Sequence, residues 1–384
     1  MAWNRLSERI VKMPSSAIRK YFSVPKDVIS LGVGEPDFIA PERIRQSAIE
    51  ALKAGQTHYT SNAGIQPLRE AVCKQLEELY QVKYDPEHEI ILTVGASEAL
   101  FIAMAAIVDP GDEIIVVTPC FSAYQNDVKI ACGVPIEVAC RFEDNFELNP
   151  DELEKAVTPK TKGILIGFPN NPTGAVASRE TLQKVVNIAE KYNLAIISDE
   201  IYGRLIYGVK HVCVPSLEGA FERTILVNGF SKAYAMTGFR IGYIAAPRNI
   251  LDQIYKLHQY LIMSAPTMAQ FAAYTAVTEC EGEDAAMCSE YDRRRKMLVK
   301  RLNDMGLPTF EPKGAFYAFP KITSTGLSSV NFADKLLAEG KVALIPGSGF
   351  GKGGEGFVRV CYAQSYERIS EALDRIEKFV KKYQ

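Results

Sequence analysis

Six short apolar runs, separated by helical patterns, occupy the middle of this 384-residue chain. Each run is long enough for one buried strand and ends at a polar or glycine-containing loop. The runs are Glu89–Val94, Glu113–Val117, Gly163–Phe168, Leu194–Ser198, Thr224–Asn228 and Arg240–Ala245. Because strands alternate with helices, the pattern predicts an α/β fold whose central sheet is mostly parallel and flanked by helices on both faces.

One helical pattern, over Arg179–Tyr192, shows the period clearly: apolar residues recur at i, i+3, i+4 and i+7 from Leu182. Ser178 is positioned to cap its N-terminus. After Pro247 the chain predicts longer helices, over Leu251–Leu261, Met268–Thr278 and Ala285–Met305. The run Arg293–Lys296 in the third of these indicates the solvated face of a helix rather than a nucleic-acid patch.

The end of the chain predicts a smaller α+β unit. Its expected strands lie near Phe316–Phe319, Ala343–Ile345 and Phe357–Cys361, and a last helix carries Ile369, Leu373, Ile376 and Val380 on one face. We therefore expect three parts: residues 1–30 as an N-terminal arm packing on the small domain, residues 31–280 as a large α/β domain, and residues 281–384 as the small C-terminal α+β domain.

Charge and composition exclude several classes of function. The formal net charge of -2 gives no reason to expect nucleic acid or a membrane surface as a partner. The N-terminus lacks a continuous apolar signal segment, and no stretch approaches the roughly 18 apolar residues of a membrane span. Eight cysteines without a C-x-x-C pair, and four scattered histidines, argue against a metal site. We expect reduced cysteines and a cytoplasmic protein.

Polar residues follow five of the predicted strands at their C-terminal ends, the edge where open α/β sheets bind ligands. The segments are Gly95–Ser97, Phe121 with Tyr124, Asn171–Gly174, Asp199–Tyr202 and Ser231–Lys232.

Asp199 and Lys232 each have an ordinary interpretation when taken alone. Asp199 could cap a helix or pair with an arginine, and Lys232 could be a solvated lysine. Together they suit pyridoxal 5′-phosphate, which needs an amine for its aldehyde, an anion for its pyridine nitrogen and donors for its phosphate. The segment Gly95–Ser97 opens a predicted apolar helix, Ser97–Val108, whose N-terminus favours a phosphate, although a routine helix cap would look the same.

The segment Ser231–Gly242 resembles the lysine signature of class I/II aminotransferases, which are pyridoxal-phosphate enzymes of fold type I. The resemblance extends over nearly the whole chain. Its other motifs are Ser30–Phe38, Tyr59-Thr60, Asn171–Gly174, Ser198–Tyr202, Gly314–Tyr317 and Val358–Val360.

The resemblance implies a role for each matching residue. Lys232 would hold the cofactor covalently, and Asp199 and Tyr202 would complete the catalytic group. The remaining cofactor contacts implied are Ala96, Ser97 and Arg240 at the phosphate, Phe121 on the ring, Asn171 and Tyr202 at the phenolic oxygen, and Ser231. Arg359 would bind the substrate carboxylate with Asn171 and the Gly34 backbone. Gly229 departs from the pattern, since many relatives have a phosphate-binding serine there.

The resemblance also implies a homodimer with shared active sites, in which Tyr59 reaches the neighbouring subunit's phosphate. The expected reaction moves an amino group from an L-amino acid to a 2-oxo acid, in the aspartate/aromatic group with 2-oxoglutarate as usual acceptor. No arginine is evident for a second carboxylate. Apolar segments at Tyr21-Phe22, Ile39 and Leu261–Met263 therefore predict a pocket that tolerates aromatic or aliphatic donors.

Two alternatives stay open on the sequence. A carbon–sulfur β-lyase of the same fold would carry the same lysine, aspartate and arginine. A non-catalytic regulator that binds the cofactor would have a DNA-binding domain ahead of the fold, whereas here the fold is expected to begin within about 30 residues.

Overall fold

The computed structural model describes residue 3 and residues 5–13, 19–21 and 24–384. Its strands are β1 Ile29–Ser30, β2 Ile90–Thr93, β3 Glu113–Thr118, β4 Val134–Ala139, β5 Thr161–Gly167, β6 Ala195–Asp199, β7 Thr224–Gly229, β8 Gly242–Ala245, β9 Tyr317–Ala318, β10 Val342–Ala343, β11 Ile345–Pro346 and β12 Val358–Cys361. Its α-helices are α1 Glu8–Val11, α2 Glu42–Lys53, α3 Gln66–Tyr80, α4 Gly95–Ile107, α5 Ala123–Ile130, α6 Pro150–Lys155, α7 Arg179–Lys191, α8 Arg248–Leu261, α9 Thr267–Glu279, α10 Glu283–Asp304, α11 Ser329–Lys335 and α12 Tyr366–Val380.

The central sheet has seven strands in the order β2-β8-β7-β6-β5-β3-β4. Neighbours are parallel except at β8, which runs antiparallel to both β2 and β7. The mostly parallel sheet predicted from the sequence is thereby confirmed. The edge strand β4 was not predicted: Pro135 and Glu137 interrupt its apolar pattern, and an edge position tolerates both because one side needs no partner strand.

Helices cover both faces of this sheet because successive strand residues point in opposite directions. On one face, Ile114 and Val116 of β3 pack with the apolar helix α4. On the other face, Ile115 and Val117 join a cluster that includes α7. Helix α7 begins where the sequence predicts, since the Ser178 side chain accepts a hydrogen bond from the N–H of Thr181.

The C-terminal part carries two small sheets, an antiparallel one in the order β11-β12-β9 and a parallel pair of β1 with β10. Helices α10 and α12 pack on them. The four apolar residues predicted for one face of the last helix are all fully buried in this cluster: Ile369, Leu373, Ile376 and Val380. Tyr202 and Leu205 contribute to the same cluster, so the core crosses residue 280, and the domain boundary there stays a prediction.

The N-terminal segment contacts two different regions. Near residue 21 it lies on the C-terminal part, because the Tyr21 hydroxyl donates to Asp334 at 2.8 Å, and β1 pairs with β10. Helix α1 instead lies near α5, where Arg9 donates to the carbonyl of Ile130 at 3.1 Å. The described part near residue 21 thus contacts the C-terminal part and α1 contacts α5, while the packing of the whole arm on a small domain stays a prediction.

The basic run Arg293–Lys296 in α10 differs from the solvated face that the sequence predicted. Arg293 and Lys296 are exposed, as expected, but Arg294 and Arg295 are buried. Arg294 donates to both carboxylate oxygens of Asp37, at 2.8 and 2.9 Å. A buried guanidinium is tolerated because such pairing satisfies its donors. The buried Arg294 connects α10 to the segment after β1, and only two of the four residues in the run lie on a solvated face.

Six of the eight cysteines are buried and all eight are free. Among the helices of the described ranges, none is long and apolar enough to cross a membrane.

Candidate active site

The strands β2, β3, β5, β6 and β7 point the same way, so their C-terminal ends meet at one edge of the sheet. A cavity of about 360 Å³ lies at this edge. Eleven of the predicted site residues line it: Gly34, Ala96, Ser97, Phe121, Asn171, Asp199, Tyr202, Ser231, Lys232, Arg240 and Arg359. The predicted convergence of separate loops at one site is therefore confirmed, and Tyr59 is the one predicted residue that does not line the cavity.

Asp199 is the last residue of β6 and is buried. Its Oδ2 accepts from the Tyr124 hydroxyl at 2.8 Å, and its Oδ1 accepts from the Ile201 N–H at 3.1 Å. Burial raises the pKa of this carboxyl to about 6, although both hydrogen bonds act in the opposite direction. The group is thus an anion at neutral pH, and within the described part of the chain no cationic side chain forms an ion pair with it.

Lys232 follows β7 and projects into the cavity. Its Nζ donates to the Gly34 carbonyl at 2.8 Å, and it forms no ion pair with any described residue. Burial lowers the pKa of the amine to about 8. A lysine with such a pKa is partly neutral at physiological pH and can act as a nucleophile or as a base.

Helix α4 begins at Gly95, two residues earlier than predicted, so Ala96 and Ser97 lie in its first turn instead of before it. Gly95 has a φ of +69°, and a Cβ on it would meet Nη2 of Arg240 at 2.8 Å. The guanidinium group therefore lies beside the helix N-terminus. Free N–H groups and a cation at one point form a site for an anion.

Arg359 of β12 is buried, and its guanidinium is held from two sides. Nη1 donates to Oδ1 of Asn171 at 2.8 Å, and Nη2 donates to the Gly32 carbonyl. Its Nε is buried without a partner in the described structure. The Gly34 carbonyl accepts a hydrogen bond from Lys232, and the expected contact of the Gly34 backbone with a substrate carboxylate stays a prediction.

Two tyrosines at the site were given no role by the sequence. Tyr124 holds Asp199, and Tyr317 shares a hydrogen bond of 2.7 Å with the Tyr202 hydroxyl. Both line the cavity. The signal was present, since Tyr124 follows a strand end and Tyr317 ends the motif Gly314–Tyr317, but their partners are remote in sequence.

Gly229, which departs from the family pattern, has a structural explanation. It lies opposite Gly242 where β7 and β8 pair. A Cβ on Gly229 would meet the Cα of Gly242 at 2.8 Å, closer than real side chains come to backbone. The close strand approach therefore excludes a serine here, and Arg240 with the start of α4 provides the groups for an anion.

The segments predicted to form the side-chain pocket do not line the cavity of one chain. Ile39 and the residues Leu261–Met263 are exposed, and Tyr21 is buried against Asp334. Phe22 lies outside the described residues. Tyr59 is 79% exposed, in a loop that we call the Tyr59 loop (residues 58–64). In a single chain, none of the described side chains in this set lines the cavity.

The donor set fits pyridoxal 5′-phosphate. Lys232 offers an amine without a carboxylate partner, and Asp199 offers a buried anion without a cation. The start of α4 with Arg240 suits a phosphate, and Phe121 supplies an aromatic face at the cavity wall. Each group that the cofactor requires is present once in the same cavity.

Comparison with known proteins decides the family. Residues 26–376 match the family described as aminotransferase class I and II. The chain belongs to the class I and II aminotransferases. It is 47% identical to an aspartate aminotransferase of Pyrococcus abyssi over 382 residues, 98% of each chain.

Solved structures of aminotransferases agree with this assignment. An aromatic aminotransferase from Pyrococcus horikoshii superimposes with a TM-score of 0.91 at 45% identity, covering 96% of this chain and 99% of that one. An aspartate aminotransferase from Thermus thermophilus gives a TM-score of 0.92 at 36% identity, covering 98% and 100%. The chain is thus a pyridoxal-phosphate-dependent aminotransferase of fold type I, as the sequence indicated, and the assignment supports that reading against the lyase and the regulator.

The lowered pKa of Lys232 makes a testable prediction for the cofactor-free aminotransferase. Only the neutral amine attacks an aldehyde, so the rate of covalent pyridoxal-phosphate incorporation should rise with pH up to about 8 and level off above it. An ordinary lysine would keep accelerating towards its usual pKa of about 10.4. Borohydride reduction and peptide mapping measure the rate. A pyridoxyl group found on another lysine, or still present in Lys232→Ala, would contradict the assignment.

Proposed function

We propose that this aminotransferase moves an amino group from aspartate or an aromatic L-amino acid to a 2-oxo acid, with 2-oxoglutarate as the usual acceptor. The observation that carries the proposal is the single cavity that joins the unpaired amine of Lys232, the buried anion of Asp199 and the guanidinium of Arg359. The names of similar proteins, which include aspartate and aromatic aminotransferases, support this choice of donors.

Lys232 and Asp199 have complementary tasks in this proposal. Pyridoxal 5′-phosphate, when bound, supplies a sink for the electrons left on the α-carbon of the substrate. The negative charge of Asp199 would keep a proton on the pyridine nitrogen. Nζ of Lys232 would accept the proton of the substrate α-carbon and deliver it to the cofactor carbon that carried the aldehyde, a transfer for which a pKa near neutrality is suited.

The groups around them orient the reactants. Tyr202 and Asn171 would donate hydrogen bonds to the phenolic oxygen, Phe121 would lie against the ring, and Ser231 would add a cofactor contact. Ala96, Ser97 and Arg240 would bind the phosphate. Tyr124 and Tyr317 act as positioning residues, because their hydroxyls fix Asp199 and Tyr202 through short hydrogen bonds.

Arg359 binds the α-carboxylate of every donor. Its contacts with Asn171 and the Gly32 carbonyl hold the planar guanidinium in one orientation, which a bidentate carboxylate contact requires. The described walls of the cavity add apolar side chains at Val33, Leu100 and Ile201. They support tolerance of aromatic and aliphatic donors.

We further propose a cytoplasmic homodimer with shared active sites. Exposed aromatic and apolar side chains cluster beside the Tyr59 loop, where Tyr260 is 90% exposed and Leu261–Met263 follow it. Such a patch is typical of an interface between subunits. It would place Tyr59 at the phosphate of the partner. Eight free cysteines suit a reducing compartment.

Replacing Asp199 tests the electron sink. Asp199→Asn keeps the shape but removes the charge, so kcat should fall about 10³-fold or more, as with other losses of preorganised electrostatic groups. Steady-state kinetics of the purified dimer measure it. Asp252→Asn, on the exposed face of α8, is the matched control and should leave kcat unchanged. Activity of Asp199→Asn within tenfold of the parent would refute the role.

Replacing Arg359 tests recognition of the α-carboxylate. Loss of a charge-assisted bidentate contact costs about 2–5 kcal/mol. Arg359→Ala should therefore lower kcat/KM about 30-fold to several thousand-fold for every donor, at 1.36 kcal/mol per decade. Arg359→Lys should recover little, because lysine lacks the fork. The measurement is a donor panel that includes aspartate, phenylalanine, tyrosine and leucine. A loss restricted to one donor class would assign Arg359 to the side chain instead.

Subunit mixing tests the shared site. Tyr59→Ala and Lys232→Ala dimers should each be nearly inactive, whereas a hybrid has one site with both residues intact. A random equimolar mixture should regain about a quarter of the parent activity, since half of its dimers are hybrids with one working site. Mass-tagged subunits establish that exchange has occurred. Exchange without recovered activity would count against the shared site.

A further inference from the structure

His258 of α8 is a fully buried histidine outside the cavity. Its Nδ1 lies 2.6 Å from Oε1 of Glu98, and its Nε2 lies 2.8 Å from the carbonyl oxygen of Asn62. Tyr255 stacks on the ring with centroids 6.4 Å apart. Both ring nitrogens are thus engaged, each with a different part of the chain.

The two contacts define where the protons lie. A carbonyl oxygen only accepts hydrogen bonds, so Nε2 carries a hydrogen and donates a hydrogen bond to the Asn62 carbonyl. The contact between Nδ1 and Oε1, at 2.6 Å, is a second hydrogen bond with one hydrogen between the two atoms. Because a buried donor or acceptor without a partner is costly, loss of either contact destabilises the group left behind.

Glu98 connects the ring to the cavity. It belongs to the first turn of α4, and its Oε2 accepts from the N–H of Val94, the residue before the helix. This return contact fixes the start of α4. Ala96 and Ser97, in the same turn, line the cavity at the proposed phosphate position.

Asn62 connects the ring to the Tyr59 loop. Its side-chain Nδ2 donates to the Met263 carbonyl at 2.6 Å, while its own carbonyl accepts from His258. Tyr59 lies three residues earlier and is exposed. The imidazole of His258 therefore connects two elements. One is helix α4, which lines this chain's own cavity, and the other is the Tyr59 loop, which is proposed to enter the partner's cavity.

Gln270 of α9 holds the same loop without that connection. Its Oε1 accepts from the N–H of Ile65 at 2.8 Å, and its Nε2 donates to Oγ1 of Thr60 at 2.9 Å and to the Ala265 carbonyl at 2.8 Å. It is fully buried, as His258 is. Gln270 is therefore a matched control that anchors the loop but has no hydrogen bond to α4.

We propose that His258 is a positioning residue that couples the first turn of α4 to the Tyr59 loop through Glu98 and Asn62. The coupling deepens the proposed function, on which it rests, because it links the phosphate positions of the two sites in a dimer. When one site binds the cofactor, the start of α4 in that chain becomes more ordered. Through His258, the Tyr59 loop of the same chain, which enters the other site, becomes more ordered as well.

Amide hydrogen exchange of the cofactor-free protein tests the link. His258→Asn places an amide near the position of Nδ1, and His258→Gln places one near Nε2. The first should raise exchange about tenfold in residues 58–64 only, and the second about tenfold in residues 94–98 only, as expected for one lost hydrogen bond. Gln270→Leu should act on residues 58–64 alone.

His258→Leu removes both contacts and should loosen both segments. The coupling would be overturned if the two amide variants of His258 loosened the same segment. It would also be overturned if Gln270→Leu loosened both segments as strongly as His258→Leu. If His258→Leu fails to fold, the two amide variants decide the matter by themselves. The exchange is measured without cofactor, so its outcome is independent of whether the enzyme transaminates.

Hybrid dimers test whether the coupling changes how tightly the partner's site holds pyridoxal phosphate. One chain has Lys232→Ala with His258→Asn, and its partner is unchanged, so only the partner's lysine binds pyridoxal phosphate covalently. The absorbance retained after dialysis should fall several-fold relative to a hybrid with Lys232→Ala alone. Equal retention would refute transmission through the loop. Failure of the shared site would appear separately, as absence of recovery in the Tyr59 and Lys232 mixture.

Discussion

The carboxylate of Asp199 lies at the end of a strand that is covered on both faces, where burial raises its pKa to about 6. An unpaired anion in such a position is unfavourable for the protein alone. Among the described residues, two hydrogen bonds compensate for it, from the Tyr124 hydroxyl and the Ile201 N–H. A cation would stabilise this anion, and the proposed partner is the protonated pyridine nitrogen of the cofactor.

The other charges of the cavity are arranged around this constraint. Lys232 has no carboxylate partner in the described part of the chain, and its pKa is lowered because burial disfavours its ammonium form. Arg359 is held by an amide oxygen and a carbonyl, which orient it without neutralising its charge. Each charged group is thus fixed in place while its charge stays available to a ligand, as preorganised electrostatic catalysis requires.

Close backbone approaches make this arrangement possible. Gly34 faces the hydroxyl of Tyr317, and Gly229 faces Gly242 across β7 and β8, so neither position has room for a side chain. The second contact explains why this chain lacks the serine that the family pattern suggested. The proposed phosphate position consists instead of Arg240 and the first turn of α4, whose Glu98 is hydrogen-bonded to His258.

The sequence by itself determined the parallel sheet, the strand ends that carry Asp199 and Lys232, and the family, because strand periodicity and motif residues are local signals. Most of its failures are non-local. Arg294 and Arg295 were expected to be solvated but are buried, and the pairing of Arg294 with Asp37, far away in sequence, is not visible in the local pattern. The tyrosine partners of Asp199 and Tyr202, and the exposed position of Leu261–Met263, likewise depend on which elements meet. Only the tertiary structure brings residues 98, 62 and 258 together, because a buried hydrogen bond is specified by packing and not by the spacing of residues along one element.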